Sequence, residues 1–185
     1  MMPELSLNIL DIAQNSVAAG SKLIIIEIDA DSAADKLTIA VIDDGKGMTE
    51  EQIHRVTDPF YTTRTTRSVG LGVPFLKMAC ELTGGELDIS SAPGAGTTIH
   101  ASFGLSHIDR MPLGDIAGTF TALVGPVPEI DFVLRYSFDG RTFSADTREF
   151  REILGEVPLS EPQVLSFIDS FIKENRGECD AGITI

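Results

Sequence analysis

Two polar residues near the N-terminus have the types and spacing of a phosphate-handling site. Asp11 and Asn15 stand four residues apart in a stretch with helical spacing, so both side chains share one helix face. A carboxylate there can orient or deprotonate a nucleophile. An amide oxygen can coordinate a magnesium ion that also keeps phosphate oxygens as ligands. The alternative interpretation is that both are ordinary solvated residues of a surface helix.

A second candidate is the segment 43–47, which reads Asp-Asp-Gly-Lys-Gly and follows a predicted buried strand. A carboxylate at a strand end, backed by glycines, can accept a hydrogen bond from an exocyclic amine such as that of adenine. The same residues also suit an ordinary Asp-Gly turn. The segment therefore indicates a base-binding site or a tight connection between elements.

The distribution of charge gives a third candidate. The chain has 14 Lys and Arg against 28 Asp and Glu, a net charge of −14, which argues against nucleic acid as a partner. Residues 59–80 contain no acidic residue but include Arg64, Arg67 and Lys77, with Gly70-Leu71-Gly72 just before a predicted helix. Glycines and a helix N-terminus suit a polyphosphate. Taken alone, this segment is more typical of an ordinary loop than of a phosphate site.

Alternating helical and strand patterns fill the first 104 residues and would position these candidates. The patterns predict strands over 22–28, 36–42, 86–91 and 97–103. They also predict a helix from Leu5 that ends at Gly20 and a short helix that a Thr49–Gln52 capping box begins. A third predicted helix has Pro74 in its first turn and ends at Gly84-Gly85.

The strand and helix patterns in residues 105–185 predict a small α+β unit. A strand over 130–138 turns through Asp139-Gly140 into a strand over 141–143, and residues 118–124 are predicted as a partner strand. A Ser160–Gln163 capping box opens a predicted helix that stops at 175–177. We therefore predict two units, 1–104 and 105–185, the second with a modest core of its own or docked on the first. The strand over 130–138 is either core or an edge that pairs with another chain.

Five segments resemble, in order, the motif boxes of the GHKL superfamily, which includes the ATP-binding domains of gyrase, Hsp90, histidine kinases and mismatch-repair proteins. These segments are residues 11–20, 41–48, 58–64, 70–72 and 94–97. The resemblance implies the Bergerat fold, an α+β two-layer sandwich whose mixed sheet is covered on one face by helices. It also implies ATP and Mg²⁺ as cofactors.

The resemblance also implies a role for individual residues. The implied set is Asn15 as the magnesium ligand, Asp43 as acceptor for the adenine amino group, Gly45 and Gly47 beneath the base, Phe60 in the F box, Arg64 and the Gly70-Leu71-Gly72 segment in an ATP lid over 59–72, and Thr97 in the adenine pocket.

Two departures from the family pattern bear on activity. The chain begins almost at the first box, so we expect no phosphoacceptor histidine domain within it. Position 11 is Asp, where histidine kinases tend to have Asn and hydrolysing members have a Glu that acts as general base. Asp11 keeps the carboxylate on a shorter side chain and is our candidate catalytic base.

Three functions fit this pattern. The favoured one is a kinase-like regulatory protein that transfers the γ-phosphoryl group of ATP to a partner protein. The alternatives are a slow ATPase that acts as a nucleotide switch and a non-catalytic ATP sensor that regulates a larger enzyme, for example a redox enzyme. We expect the lid and residues 105–185 to contact the partner. We also expect a cytoplasmic protein without a membrane segment, and its oligomeric state is open.

Overall fold

The computed structural model describes residues 2–57, 72–181, 183 and 185. Within these residues the elements are helices α1 (Leu5–Ala18), α2 (Glu50–Val56), α3 (Gly72–Leu82), α4 (Ile116–Val124), α5 (Thr147–Leu154) and α6 (Pro162–Asp180), and strands β1 (Leu23–Asp31), β2 (Lys36–Asp43), β3 (Leu87–Ser91), β4 (Thr97–Gly104), β5 (Asp131–Phe138) and β6 (Arg141–Asp146).

The strands of the described residues form one mixed sheet in the order β3-β4-β2-β1-β5-β6. The β1–β5 pair is parallel, and the other neighbouring pairs are antiparallel. Along β1, Ile24, Ile26 and Ile28 are buried, whereas the residues between them are at least partly exposed. This period of two turns one face of the sheet towards a helical layer. Helix α3 packs against β3 and β4, α1 against β1 and β2, and α6 against β5 and β6. The predicted α+β sandwich is confirmed.

The segment after residue 104 adds β5 and β6 to this same sheet, and its helices share one hydrophobic core with α1. It also completes the N-terminus of α1, where no side chain caps the helix. The backbone N–H groups of Leu5 and Ser6 donate to the carbonyl oxygens of Pro112 (3.0 Å) and Leu113 (2.8 Å). Helix α1 therefore depends on the C-terminal segment for two of its otherwise unpaired N–H groups.

The predicted strand over 118–124 is wrong, because these residues lie in α4. The Asp115 carboxylate accepts a hydrogen bond from the Gly118 N–H and caps this helix. Ile116, Phe120 and Leu123 are all buried at helical spacing, so packing overrides the strand preference of the Thr, Phe and Val residues here. The strand over 130–138 is an interior strand between β1 and β6, not an edge.

The predicted capping box at Ser160 is also wrong. The cap position of α6 is Glu161, which makes no side-chain capping bond, and Pro162 begins the helix. The helix continues past 175–177 to Asp180, whose carboxylate accepts hydrogen bonds from Arg176 Nε (3.1 Å) and from Tyr136 Oη (2.5 Å). These bonds hold the last turn of α6 against β5. In the described part of the chain no helix is both long and apolar enough to cross a membrane.

We predict that Tyr136→Phe lowers the free energy of unfolding by about 1–3 kcal/mol, since the buried Asp180 carboxylate loses a donor. Urea titration checks this as a lower midpoint with an unchanged slope. An unchanged midpoint would show that the bond contributes nothing.

A pH series gives a second test of the same tyrosine. Burial first, and then the bond to Asp180, raise the pKa of Tyr136 in the folded chain. The stabilisation from neutral Tyr136 is therefore fully present below the pKa of tyrosine in the unfolded chain, about 10. It is lost as the pH rises towards the pKa of Tyr136 in the folded chain. We expect the stability difference between wild type and Tyr136→Phe to shrink as pH rises above about 10. A constant difference would contradict this.

Candidate functional site

Helix α1 carries three polar residues of the candidate site in its last two turns. Asp11 and Asn15 lie one turn apart, Asp11 partly buried and Asn15 exposed. Ser16 follows directly, is 4% exposed, and points to the sheet. The helix ends at Ala18, and Gly20 follows the cap residue Ala19 with a φ of +78° that glycine adopts without cost. One rigid element thus presents a carboxylate, an amide and a hydroxyl group to the same end of the molecule.

Asp43 ends β2 at that end of the sheet, where it lies opposite Ile24 of β1 and Thr97 of β4. Its Oδ2 accepts a hydrogen bond from Ser16 Oγ (2.6 Å), and its Oδ1 accepts one from the Gly45 N–H (2.9 Å). An ionised carboxylate can accept about four hydrogen bonds. The Asp43 side chain is therefore fixed in orientation and retains acceptor capacity for a ligand.

The neighbouring carboxylate has a different task. Asp44 Oδ1 accepts hydrogen bonds from the backbone N–H groups of Lys22 (2.7 Å) and Leu23 (3.0 Å). Burial disfavours the charged form of Asp44, but the bonds from Leu23 and Lys22 outweigh it and hold its pKa below the ordinary value. Asp44 thus ties the β2 end to the start of β1, so that of these two neighbouring carboxylates Asp43 is the one available at the site.

Two glycines let the turn after β2 contact the turn between β3 and β4. A Cβ on Gly47 would overlap the Ala92 carbonyl oxygen, and a Cβ on Gly96 would overlap the carbonyl oxygen of Asp43. Both have positive φ angles, +66° and +80°, that other residues rarely adopt. The Gly94 N–H donates to the Lys46 carbonyl oxygen (2.7 Å) and joins the two turns.

Gly45 is buried against the end of α1. A Cβ there would lie 2.6 Å from Ser21 Oγ and 3.0 Å from the Ala19 Cβ. The next residue, Lys46, donates its N–H to the Ala19 carbonyl oxygen (3.1 Å). The close approaches at Gly45 and Gly47 are thus made by the protein's own atoms, and these contacts hold Asp43 and α1 in a fixed relation.

Thr97 belongs to a small hydroxyl cluster beside Asp43. Ser91 Oγ lies 3.0 Å from Thr97 Oγ1, donates to the Gly96 carbonyl oxygen (2.7 Å), and accepts from the Met48 N–H (2.8 Å). Sequence reasoning named Thr97 but missed Ser91 and Ser16. The position of Ser16 directly after Asn15, on the buried side of α1, was the available signal for that residue; no local pattern marks Ser91.

At the other side of the site, Asp11 meets the start of α3. Gly72, the first residue of α3, is buried, and a Cβ on it would overlap Asp11 Oδ2. The N-terminus of a helix offers unpaired N–H groups and the positive end of the helix dipole. Asp11 therefore lies directly against the start of α3, where the helix dipole favours its negative charge.

Seven of the predicted site residues lie in the described part of the chain, on α1, at the start of α3 and around the end of β2. They are Asp11, Asn15, Asp43, Gly45, Gly47, Gly72 and Thr97. The predicted lid residues Phe60, Arg64, Gly70 and Leu71 lie outside the described residues.

The described residues hold no group of three or more His, Cys, Asp or Glu side chains arranged for a metal ion. Asn15 offers one exposed amide oxygen. Magnesium is commonly held by few protein ligands together with waters and phosphate oxygens, so this donor set fits a magnesium ion that arrives with a phosphate ligand.

Comparison with curated proteins gives bacterial relatives, among them sensor histidine kinases. The chain is 31% identical over 97 residues to the non-motile and phage-resistance protein of Caulobacter vibrioides. This aligned stretch covers 50% of this chain and 12% of that protein. It is 34% identical over 82 residues to the sensor histidine kinase YxdK of Bacillus subtilis. This aligned stretch covers 42% of this chain and 25% of that kinase. The matched stretch is thus a minor part of each relative.

Comparison with solved structures finds proteins with a similar fold. The ATPase domain of Aquifex aeolicus MutL, solved with ADP, matches with a TM-score of 0.53 at 13% identity, over 83% of this chain and 70% of that one. The N-terminal domain of a DNA repair protein matches with a TM-score of 0.53 at 14% identity, over 84% of this chain and 58% of that one.

A family model, described as histidine kinase-, DNA gyrase B- and HSP90-like ATPase, matches residues 1–107. This range contains every residue of the candidate site, and the match confirms the GHKL resemblance. The chain belongs to the family of histidine kinase-, DNA gyrase B- and HSP90-like ATPases.

Proposed function

We propose that this chain binds ATP with Mg²⁺ at the site end of the sheet and transfers the γ-phosphoryl group to a partner protein. The observation that carries the proposal is the double role of α1. This helix places Asp11 against the N-terminus of α3 and, about 1.4 turns later, bonds Ser16 to Asp43. One rigid helix thus fixes a base-binding carboxylate and a phosphate-binding helix end relative to each other.

In this proposal each end of the site receives one part of the nucleotide. Asp43 accepts a hydrogen bond from the adenine amino group, with Thr97 beside it, because its two present donors leave acceptor capacity. Asn15 holds the magnesium ion, which would neutralise charge on the phosphates when bound. The segment containing Phe60, Arg64, Gly70, Leu71 and Gly72 closes over the triphosphate.

Asp11 would act on the nucleophile. Its carboxylate accepts the proton of the attacking hydroxyl group as that oxygen bonds to the γ-phosphorus and the bond to the ADP oxygen breaks. The contact with Gly72 favours this role because it holds the carboxylate where α3 begins. The likeness to sensor histidine kinases supports protein phosphorylation over hydrolysis.

Hydrolysis is the second candidate, and one observation favours it. Position 11 is a carboxylate, which can activate water as readily as a protein hydroxyl group. In this version ATP binding and hydrolysis change the surface that the chain offers to a partner. A chain that binds ATP without turnover would be a sensor for a larger enzyme.

Incubation of the full chain with Mg²⁺ and γ-labelled ATP, alone and with lysate from its source, separates these functions. Label on a partner protein that requires this chain supports the kinase. Free phosphate alone supports the nucleotide switch, and saturable binding without either product supports the sensor. Absence of binding would contradict all three.

We predict that Asp43→Asn raises the Kd for ATP by at least about tenfold, roughly 1.4 kcal/mol, because the amide offers fewer acceptor sites and adds a competing donor. Isothermal titration calorimetry with Mg²⁺ and ATP measures this. Asp44→Asn is the matched control: it weakens the tie to Lys22 and Leu23, so it lowers thermal stability but leaves the Kd near that of wild type. Equal effects of both substitutions on Kd would remove Asp43 from the pocket.

We predict that Asp11→Asn lowers turnover by about 10²- to 10⁴-fold while the Kd for ATP changes little, because the amide cannot take up a proton. Label transfer or phosphate release measures turnover, and calorimetry measures affinity on the same preparation. Unchanged turnover would show that Asp11 is not the base. A large loss of affinity would instead indicate that it binds the nucleotide.

A further inference from the structure

Helix α4 has an unusual composition for a helix at the surface. Its nine residues include no charged side chain, although surface helices normally carry charged residues on the face away from the core. Its inner face is buried through Ile116, Phe120 and Leu123. A helix without a charged face is normally covered on both sides, but in the described residues the outer strip of α4, formed by Gly118, Thr121 and Ala122, is open.

That outer strip consists of small residues and forms the floor of a trough. Gly118 and Ala122 line two open cavities, one of about 440 Å³ against α6 and one of about 210 Å³ against α1. The wall on the α6 side includes Leu165, and the wall on the α1 side includes Leu7 and Leu10. Because both cavities share the same two floor residues, they form one trough along α4 between α1 and α6. We call it the α4 trough.

The rim of the α4 trough is acidic. Glu4 and Asp115 line the cavity beside α1, and Asp169 lines the cavity beside α6. Two bases of α6 lie nearby: the Lys173 Nζ lies 2.8 Å from Asp169 Oδ2, and Arg176 donates to the Gly114 carbonyl oxygen (2.8 Å) and pairs with Asp180. With Asp180 included, four carboxylates against two basic side chains leave this region with a net negative charge, on a chain whose total charge is already −14.

From these features we infer that the α4 trough docks an amphipathic helix of a partner protein, with its apolar face on Gly118 and Ala122 and basic residues on both flanks. Small floor residues let a helix backbone approach closely, and the leucines of the walls give it an apolar surface to bury. The trough follows a nine-residue helix, about 13 Å long, which matches two to three turns of a partner helix.

Charge decides against a second copy of this chain as the occupant. Two copies facing each other through the α4 trough would bring together two acidic rims and two bodies of −14 each. A basic helix instead gains from both the rim and the total charge. The inference does not depend on nucleotide binding, although Leu10 of the trough wall directly precedes Asp11 of the site on α1.

The test uses the full chain and three labelled 14-residue peptides, with fluorescence anisotropy as the readout. The first peptide has leucines on one helix face and lysines on the other. The second replaces each lysine with glutamate, and the third replaces each leucine with serine. Ala122→Arg fills the trough floor at an exposed helical position, and Ala33→Arg, at an exposed position between β1 and β2, is the matched control with the same change in charge.

We expect the Leu/Lys peptide to bind in the micromolar range and the other two peptides to bind at least about tenfold more weakly, because docking requires both the apolar and the basic face. Ala122→Arg should weaken the Leu/Lys peptide by at least about tenfold and Ala33→Arg by less than about twofold. Circular dichroism of both variants establishes that each is folded as wild type.

Three results would overturn the inference. The first is binding of the Leu/Lys peptide that Ala122→Arg and Ala33→Arg affect equally, or no binding at all. The second is equal binding of the Leu/Lys and Lys/Ser peptides, which would reduce the effect to charge alone. The third is a wild-type dimer in light scattering that Ala122→Arg dissociates, which would make a second copy the occupant.

Discussion

Direct backbone contact between two turns, residues 44–48 and 92–96, is the constraint on which the candidate site depends. Gly47 and Gly96 each lack the Cβ that would block this contact, and the Lys46 carbonyl oxygen accepts the Gly94 N–H across it. Because the Asp43 carbonyl lies against Gly96, the end of β2 cannot move independently of the β3–β4 turn. The Asp43 carboxylate is thereby held where Ser16 can reach it.

The segment beyond the family match supports the site through its contacts with β1 and with the N-terminus of α1. Strand β5 pairs in parallel with β1, and the carbonyl groups of Pro112 and Leu113 accept the first N–H groups of α1. Helix α1 carries Asp11 and Asn15, so the position of the site residues depends on contacts made by residues 105–185. The C-terminal segment thus contributes to the architecture of the site in addition to any surface that it offers a partner.

Local patterns predicted most of the elements, and local patterns together with the family resemblance gave the residues of the candidate site. The Thr49–Gln52 capping box and the Asp139-Gly140 turn are present as predicted, because both are decided within four residues of chain. Helix α4 was mistaken for a strand because its Thr, Phe and Val content favours strands and only packing on α1 and α6 makes it a helix. The far end of α6 depends on Tyr136, 44 residues away in sequence from Asp180, so no local pattern could show it. Ser91 joins the site through contacts of the same long-range kind.

The central claim is that ATP binds at the end of the sheet defined by α1, the two glycine turns and the start of α3. Backbone amide shifts of the full chain during titration with Mg²⁺ and a non-hydrolysable ATP analogue test it most directly. The account predicts saturable shifts concentrated in residues 11–16, 43–47, 72–74 and 94–97, with the α4 trough residues 118 and 122 shifting much less. Saturable shifts centred on the α4 trough, or the absence of saturable shifts, would contradict it.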